Sequence, residues 1–253
     1  MDGNEPSRGE RPRPDVLGVL GGMGPLATVD FFTKLVQLTP AERDPDHIPV
    51  IISCEPQIPS RPAAYFDRVA NPSPLPALKV RRDRLVAAGA RCIVIPCNTA
   101  HYWFDDLTAD SPVPFIHIVQ ATAEELDRRG AQRAVLGLIG TEPTLHGKLF
   151  EAPLAARGYR CLCAGTAVME RLVRPGINFV KANRTAEAEP LFRSAIESLI
   201  GEGAQIVVLG CTEVPAGLPM ADPWVRDRTI DPTEALARAA YNWAMGERAK
   251  AAL

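Results

Sequence analysis

The 253-residue sequence lacks the features that mark several classes of protein. A formal net charge of −2 leaves no basic excess for nucleic acid or for an anionic membrane surface. No apolar run approaches the ~18 residues that a membrane span needs, and the N-terminus has no apolar signal region. We therefore expect neither nucleic acid nor membrane among the partners of this chain.

Cysteine pairs of the kind that bind metals are also missing. The six cysteines include no CxxC pair with ligand spacing, so no metal site is expected. Free thiols are typical of a reducing compartment, which predicts a cytoplasmic location. Most of the six are expected to be small buried hydrophobes, namely Cys54, Cys92, Cys161 and Cys163.

A complete dinucleotide-binding loop is absent as well. In the segment 21–27 the third glycine of the motif is replaced by Ala27, and no acidic residue follows at a strand end. Pro25 is suited to the first turn of a helix, where its missing N–H costs nothing. The loop then presents backbone amides at a helix N-terminus, which indicates an anion site more than a nucleotide site.

Two segments of the chain repeat one order of features. Segment 93–99 (IVIPCNT) and segment 206–213 (IVVLGCTE) each run from a buried strand through a turn residue to a cysteine and small polar residues. In parallel α/β sheets the carboxyl ends of the strands form ligand sites. Cys97 and Cys211 are therefore candidate functional thiols.

A second pair of similar segments indicates an internal duplication. Segment 16–21 (VLGVLG) resembles segment 135–140 (VLGLIG). We interpret the chain as two copies of one α/β unit, each with a thiol at the same relative position. If the copies pack about a pseudo-twofold axis, the two thiols face each other across one cleft, as inversion of a stereocentre requires.

The remaining elements follow from apolar periodicity and turn residues. Helices are predicted over 26–38, 75–88, 120–129, 145–157, 187–202 and 232–245, and over 168–180 with an interruption at Pro175–Gly176. Strands are predicted over 16–20, 48–54, 113–119, 134–140, 159–163, 204–209 and 228–230, besides the one that precedes Cys97.

Several polar residues allow two interpretations each. Arg61 could bind a carboxylate with its guanidinium, although a solvated loop arginine is favoured. His101 could form a nucleophilic pair with Cys97, although a histidine that bonds the backbone and orients the loop is favoured. Thr141 and Thr144 could bind an anion or cap a helix. The N-terminus of a helix after Cys97 would lower the pKa of its thiol.

Together these segments resemble the aspartate/glutamate racemase family. The resemblance depends on segment 21–28 (GGMGPLAT), segment 96–101 (PCNTAH) and segment 210–213 (GCTE), and it spans nearly the whole chain after the tail. It implies an amino-acid racemase that needs no pyridoxal phosphate or other cofactor. The implied fold is two similar Rossmann-like or flavodoxin-like α/β domains with parallel sheets, related by a pseudo-twofold axis, with the active site in the cleft between them.

The resemblance also implies roles for individual residues. Cys97 and Cys211 would be the two catalytic bases. The α-carboxylate of the substrate would be held by Asn98, Thr99, Thr141 and Thr212. Met23 and Gln57 would line the pocket, and Arg61 and Lys181 would bind the side-chain carboxylate of aspartate or glutamate. Two departures from the family pattern, Glu142–Pro143 and Ser60 before Arg61, touch substrate recognition, so the choice between these amino acids stays open.

Domain organisation follows from the duplication and the resemblance. We predict a disordered tail over 1–15, a first domain over 16–118 plus 215–253, and a second domain over 119–214. A homodimer is expected. Two other functions remain open: a hydrolase, decarboxylase or isomerase that uses one thiol on the same scaffold, and a binder of acidic amino acids without catalysis.

Overall fold

Two four-stranded parallel sheets form the framework of this chain, seen in a computed structural model that describes residues 13–251. The first sheet has the order β2-β1-β3-β4 and the second has the order β6-β5-β7-β8, with every pairing parallel. The first four strands are β1 Leu17–Gly21, β2 Val50–Cys54, β3 Cys92–Val94 and β4 Phe115–Ile116. The second four are β5 Val135–Gly140, β6 Arg160–Cys163, β7 Ile206–Gly210 and β8 Thr229–Ile230. The identical strand order confirms the predicted fold of two similar α/β units.

Helices connect the strands and cover both sheets. In the first half they are α1 Pro25–Leu38, α2 Arg61–Phe66, α3 Leu75–Ala87, α4 Phe104–Thr108 and α5 Ile118–Arg128, with 3₁₀ turns at Asp44–Asp46 and Thr99–Trp103. In the second half they are α6 Glu142–His146, α7 Glu151–Ala156, α8 Thr166–Val168, α9 Arg174–Lys181, α10 Thr185–Gly201, α11 Glu213–Ala216, α12 Pro223–Arg228 and α13 Pro232–Ala251. A π-helical turn, Met169–Val173, joins α8 to α9.

The central strands of both sheets are apolar because both of their faces are covered. Every residue of β1 and β3 is buried. One contiguous cluster of buried side chains includes Leu17 of β1 and Leu136 of β5, so a common core spans the two sheets. Within the described residues, no helix is long and apolar enough to cross a membrane.

The turn after β1 depends on glycine. Gly22 has a φ of +90°, and a Cβ built on it would lie 2.2 Å from the backbone nitrogen of Glu55. A side chain at position 22 would therefore collide with the chain that leaves β2. This close approach brings the loops after β1 and β2 together at one edge of the sheet.

Several predicted helices differ from the observed ones. The helix predicted over 145–157 is split into α6 and α7, with Lys148 at a φ of 50° between them. The helix predicted over 168–180 is interrupted by the π-helical turn ahead of Pro175 rather than at it. The strand predicted over 113–119 shrinks to β4, because His117 caps α5 by accepting the N–H of Val119.

The domain boundaries stay a prediction. β8 pairs with β7, so Thr229–Ile230 belong to the second sheet although the segment 215–253 was expected in the first domain. α13 packs against both α1 and α5. Of the tail predicted over 1–15, residues 1–12 lie outside the described part of the chain, whereas Asp15 is buried and forms an ion pair with Arg248.

Candidate active site

Loops at the carboxyl ends of the strands of both sheets meet around one small cavity of about 20 Å³. That volume accommodates about one water molecule. Residues of both halves line it: Met23, Arg61, Pro62, Cys97, Asn98, Thr99, Thr141, Lys181, Cys211, Thr212 and Glu213. The sequence had predicted a site between the halves, and this cavity lies there.

Both candidate thiols line this cavity and are almost fully buried. Cys97 is 5% exposed and follows β3, while Cys211 is 4% exposed and follows β7. β3 and β7 occupy equivalent places in their sheets, each beside the strand that starts its unit. The two cysteines are therefore counterparts in the two halves of the molecule.

Burial controls the protonation of both thiols. It raises the pKa of Cys97, which the nearby Arg61 guanidinium lowers in part and Glu213 raises slightly. The pKa of Cys211 lies well above its ordinary value, first because of burial and second because of the Glu213 carboxylate. The expectation that a helix N-terminus would lower the pKa of Cys97 is wrong, because the loss of water around a buried thiolate outweighs the Arg61 charge and the Ala100 N–H.

Arg61 begins α2 rather than lying in a solvated loop. Its guanidinium donates hydrogen bonds to the carbonyls of Ile58 (3.1 Å), Pro59 (3.2 Å) and Met23 (3.3 Å). Its Nε is buried and has no hydrogen-bond partner within residues 13–251. Three carbonyls hold the cation at the edge of the cavity near Cys97, where it can meet an anion.

Hydroxyl groups from the two halves form a cluster at the same cavity. Thr99 Oγ1 lies 2.9 Å from Thr141 Oγ1, which lies 3.0 Å from Thr144 Oγ1. Thr141 precedes α6, but its side chain makes no capping hydrogen bond to that helix. The hydroxyl of Thr141 thus serves the contact between the halves rather than the helix end.

Asn98 carries unused hydrogen-bonding capacity beside the cluster. Its side chain is 2% exposed, and neither its amide oxygen nor its amide nitrogen has a partner among the described residues. A buried amide without hydrogen-bond partners costs free energy. A ligand that offers both an acceptor and a donor would recover this cost.

His101 bonds to the backbone and has no free nitrogen for catalysis. Its Nδ1 donates to the Cys97 carbonyl (2.9 Å), and its Nε2 accepts the N–H of Ile118 (3.2 Å). Burial lowers the pKa of His101 to about 3. The favoured interpretation of this histidine, that it orients the loop, agrees with the geometry, and a Cys97–His101 nucleophilic pair does not.

The other predicted site residues divide between the cavity and the surface. Met23, Thr212 and Lys181 line the cavity, and Lys181 is the exposed last residue of α9. Gln57 is exposed and does not line the cavity. The geometry thus brings together every predicted residue except Gln57, and the individual roles stay predictions.

Glu213 is a site residue to which the sequence had assigned no role. It begins α11, is 5% exposed and lines the same cavity as Cys211 and Lys181. The Sγ–H of Cys211 donates to its Oε2 over 3.0 Å. The available signal was an acidic residue two positions after a strand-end cysteine.

A larger cavity of about 400 Å³ adjoins the small one. Arg61, Lys181 and Glu213 line both cavities, and Leu26 and Val180 give the larger one apolar walls. This volume lies in the range of small-molecule sites. Within residues 13–251, no group of three or more His, Cys, Asp or Glu side chains is placed to hold a metal ion.

Comparison with known proteins gives consistent results. A family model described as Asp/Glu/Hydantoin racemase matches residues 20–240. The broad specificity amino-acid racemase RacX of Bacillus subtilis is 28% identical over 210 residues, which cover 80% of this chain and 87% of RacX.

Solved structures share the fold. Picrophilus torridus aspartate racemase superposes with a TM-score of 0.80 at 29% identity, covering 91% of this chain and 94% of that one. Glutamate racemase from Campylobacter jejuni gives a TM-score of 0.63 at 15% identity, covering 91% and 85% of the respective chains. At this lower identity the likeness concerns the fold alone.

Proposed function

Because the chain belongs to the Asp/Glu/Hydantoin racemase family, and is thus an isomerase, we propose that it interconverts the L- and D-enantiomers of an acidic amino acid without a cofactor. The observation that carries this proposal is the pair of buried cysteines, one from each half, that line a single cavity. A one-thiol enzyme would have no use for the second cysteine at the equivalent strand end.

In the proposed mechanism the two thiols act on opposite faces of the α carbon. One cysteine, as thiolate, removes the α-proton from one enantiomer, and the other, as thiol, delivers a proton to the opposite face. The roles exchange in the reverse direction, so each cysteine must serve in both protonation states. Because the two groups are coupled, their titration belongs to the pair.

Burial favours this chemistry once a thiolate has formed. A thiol of raised pKa is a stronger base as its thiolate, which helps it to remove a weakly acidic α-proton. The polar groups around the cavity would stabilise the negative charge that develops on the α-carboxylate. We assign this task to Asn98, Thr99, Thr141 and Thr212.

Two cationic side chains favour an amino acid with an acidic side chain as the substrate. Arg61 and Lys181 both line the cavity and could bind the distal carboxylate of aspartate or glutamate. Met23 lines the same cavity, and Gln57 would have to move to reach it.

A wider range of amino acids is the second candidate. The adjoining cavity of about 400 Å³ has apolar walls at Leu26 and Val180 and leaves room for a longer side chain. The Bacillus subtilis relative is a broad specificity racemase, which is compatible with this alternative.

A homodimer and a cytoplasmic location also remain predictions.

Substitution of each cysteine tests the mechanism. Cys97→Ser and Cys211→Ser are each expected to lower racemisation by at least about 1,000-fold, because a serine hydroxyl is a far weaker acid than a thiol and no second group replaces it. The assay follows circular dichroism at the substrate band for a panel of single-enantiomer amino acids that includes aspartate and glutamate.

Cys54→Ser is the matched control for these variants. Cys54 ends β2, is exposed and does not line either cavity, so this variant should racemise as fast as the unaltered protein. Full activity in Cys97→Ser or in Cys211→Ser would contradict the two-base mechanism. Activity confined to amino acids other than aspartate and glutamate would contradict the acidic substrate.

A further inference from the structure

Glu213 is a buried carboxylate without a cationic partner. No ion pair to its side chain occurs within residues 13–251, although it is only 5% exposed. The two cations nearest to the site are engaged or exposed, since Arg61 donates to three carbonyls and Lys181 lies at the surface end of α9. A buried carboxylate in this state is costly unless a partner arrives.

The contacts of Glu213 leave one of its oxygens available. Oε2 accepts the Cys211 thiol at 3.0 Å and, more weakly, the Thr212 hydroxyl at 3.4 Å. Oε1 lies beside Gly24, because a Cβ built on that glycine would be 3.3 Å from this oxygen. Gly24 lines the larger cavity and Glu213 lines both, so this oxygen lies toward the larger cavity.

The charges around the two cavities are unequal. Among the described residues that line them, Glu213 is the one acidic side chain, whereas Arg61 and Lys181 are cationic and the others are neutral. The cations and the neutral donors suit the carboxylates of an acidic amino acid. An amino acid also carries an α-ammonium group, which needs an acceptor of negative charge.

We propose that Glu213 binds the α-ammonium group of the substrate, in exchange for the hydrogen bond that it accepts from the Cys211 thiol. This assignment deepens the proposed function and rests on it for the class of substrate. The ammonium group would keep its protons and lie beside Cys211, which places the α carbon next to that sulfur. Glu213 is then a specificity residue that selects amines over amine-free dicarboxylates.

The exchange of partners has a consequence for Cys211. The Cys211 thiol is hydrogen-bonded to the Glu213 carboxylate, which holds its proton in place. When an ammonium group takes over that carboxylate, the hydrogen bond is released and the negative charge is neutralised. The thiol then becomes free to deliver its proton to the α carbon.

The test compares two ligands that differ in the amine alone. Aspartate and succinate share the same carbon chain and both carboxylates, but succinate lacks the α-ammonium group. Isothermal titration calorimetry measures the dissociation constant of each for the unaltered protein and for Glu213→Gln. The unaltered protein should prefer aspartate, and Glu213→Gln should lose at least about tenfold in aspartate affinity while succinate binds equally or more tightly.

Two further variants complete the experiment. Glu189→Gln removes a carboxylate that pairs with Arg193 and lines neither cavity, so it should leave the preference for aspartate unchanged. Glu213→Asp keeps the charge with a shorter side chain, and it should retain part of the preference even if Glu213→Gln unfolds. Thermal melting of each variant reports on folding.

An unchanged ratio of aspartate to succinate affinity in folded Glu213→Gln would overturn the proposal. Slow racemisation by Glu213→Gln with an unchanged ratio of the two affinities would also overturn the proposal. Glu213 would then act on Cys211 alone and not on the ammonium group. A lost preference in Glu213→Gln, together with an unaltered protein that binds aspartate but does not racemise it, supports the ammonium site and contradicts the proposed racemase function.

Discussion

The two candidate bases lie in unlike electrostatic surroundings. Arg61 lies close to Cys97 and favours its thiolate, whereas Glu213 accepts a hydrogen bond from Cys211 and favours its thiol. Burial raises the pKa of both, so the local charges set the difference between them. Cys97 is therefore the thiol that loses its proton more readily.

A dependence of activity on pH follows from these shifts. Both thiol pKa values are raised, so the protonated form is favoured up to and beyond the ordinary thiol pKa of about 8.5. We expect kcat/KM to rise by about tenfold per pH unit between pH 6 and 8, because one thiolate must form in the free enzyme. A profile of initial rates against pH measures this.

A plateau already reached at pH 6 would contradict the expectation. It would mean that a thiolate is present well below the ordinary pKa, and that Arg61 outweighs the effect of burial on Cys97. A rise in kcat/KM centred near pH 6.5 would instead indicate the titration of a histidine. That histidine would not be His101, because burial lowers its pKa to about 3.

Most of the site follows from local sequence, and the exceptions have physical reasons. Cys97, Asn98 and Cys211 directly follow buried strands, so their place at the carboxyl edge of a sheet could be predicted. The solvated loop arginine that the sequence favoured at position 61 is wrong, because the half-buried guanidinium bonds to the carbonyl of Met23, far away in sequence. Glu213 was missed because its burial comes from the opposite half of the molecule.

At the level of elements, His101 ties two of them together. Its ring joins the carbonyl of Cys97, in the loop after β3, to the first N–H of α5 at Ile118. The ring also stacks on Phe104, with centroids 5.3 Å apart. The position of the Cys97 loop thus depends on a neutral histidine with both nitrogens occupied.

Removal of this ring should destabilise the protein. His101→Ala deletes two buried hydrogen bonds and leaves a cavity, so we expect the free energy of unfolding to fall by about 2–4 kcal/mol. Urea unfolding measures the change. His146→Ala, at an exposed position at the end of α6, should change the free energy by less than about 0.5 kcal/mol. Unaltered stability in His101→Ala with lost activity would instead favour a chemical role.

The elements themselves were predicted well where periodicity is strong. α1 begins at Pro25 as the helix-start signal indicated, and α3 is followed by Gly89 with a φ of +103°. The π-helical turn before α9 and the break between α6 and α7 were not predicted, since they depend on packing against the second sheet rather than on local pattern.

For the whole molecule, the duplication accounts for the site. Two sheets with the same strand order place equivalent strand ends on the two sides of one cavity, and a shared core holds them together. The repeated sequence segments made this architecture predictable. The path of the last part of the chain was harder to predict, because β8 joins the second sheet while α13 packs against α1 and α5.

The most direct test of the two-base account is the fate of the α-proton in D₂O. L-Aspartate is incubated with the protein in D₂O, and the enantiomers are separated at early times. Mass spectrometry then measures the deuterium content of each. The account predicts that the D-aspartate formed carries one deuterium at the α carbon while the remaining L-aspartate stays unlabelled. Protium retained in D-aspartate, or deuterium entering both enantiomers at equal rates, would show that a single group serves both faces and would contradict the account.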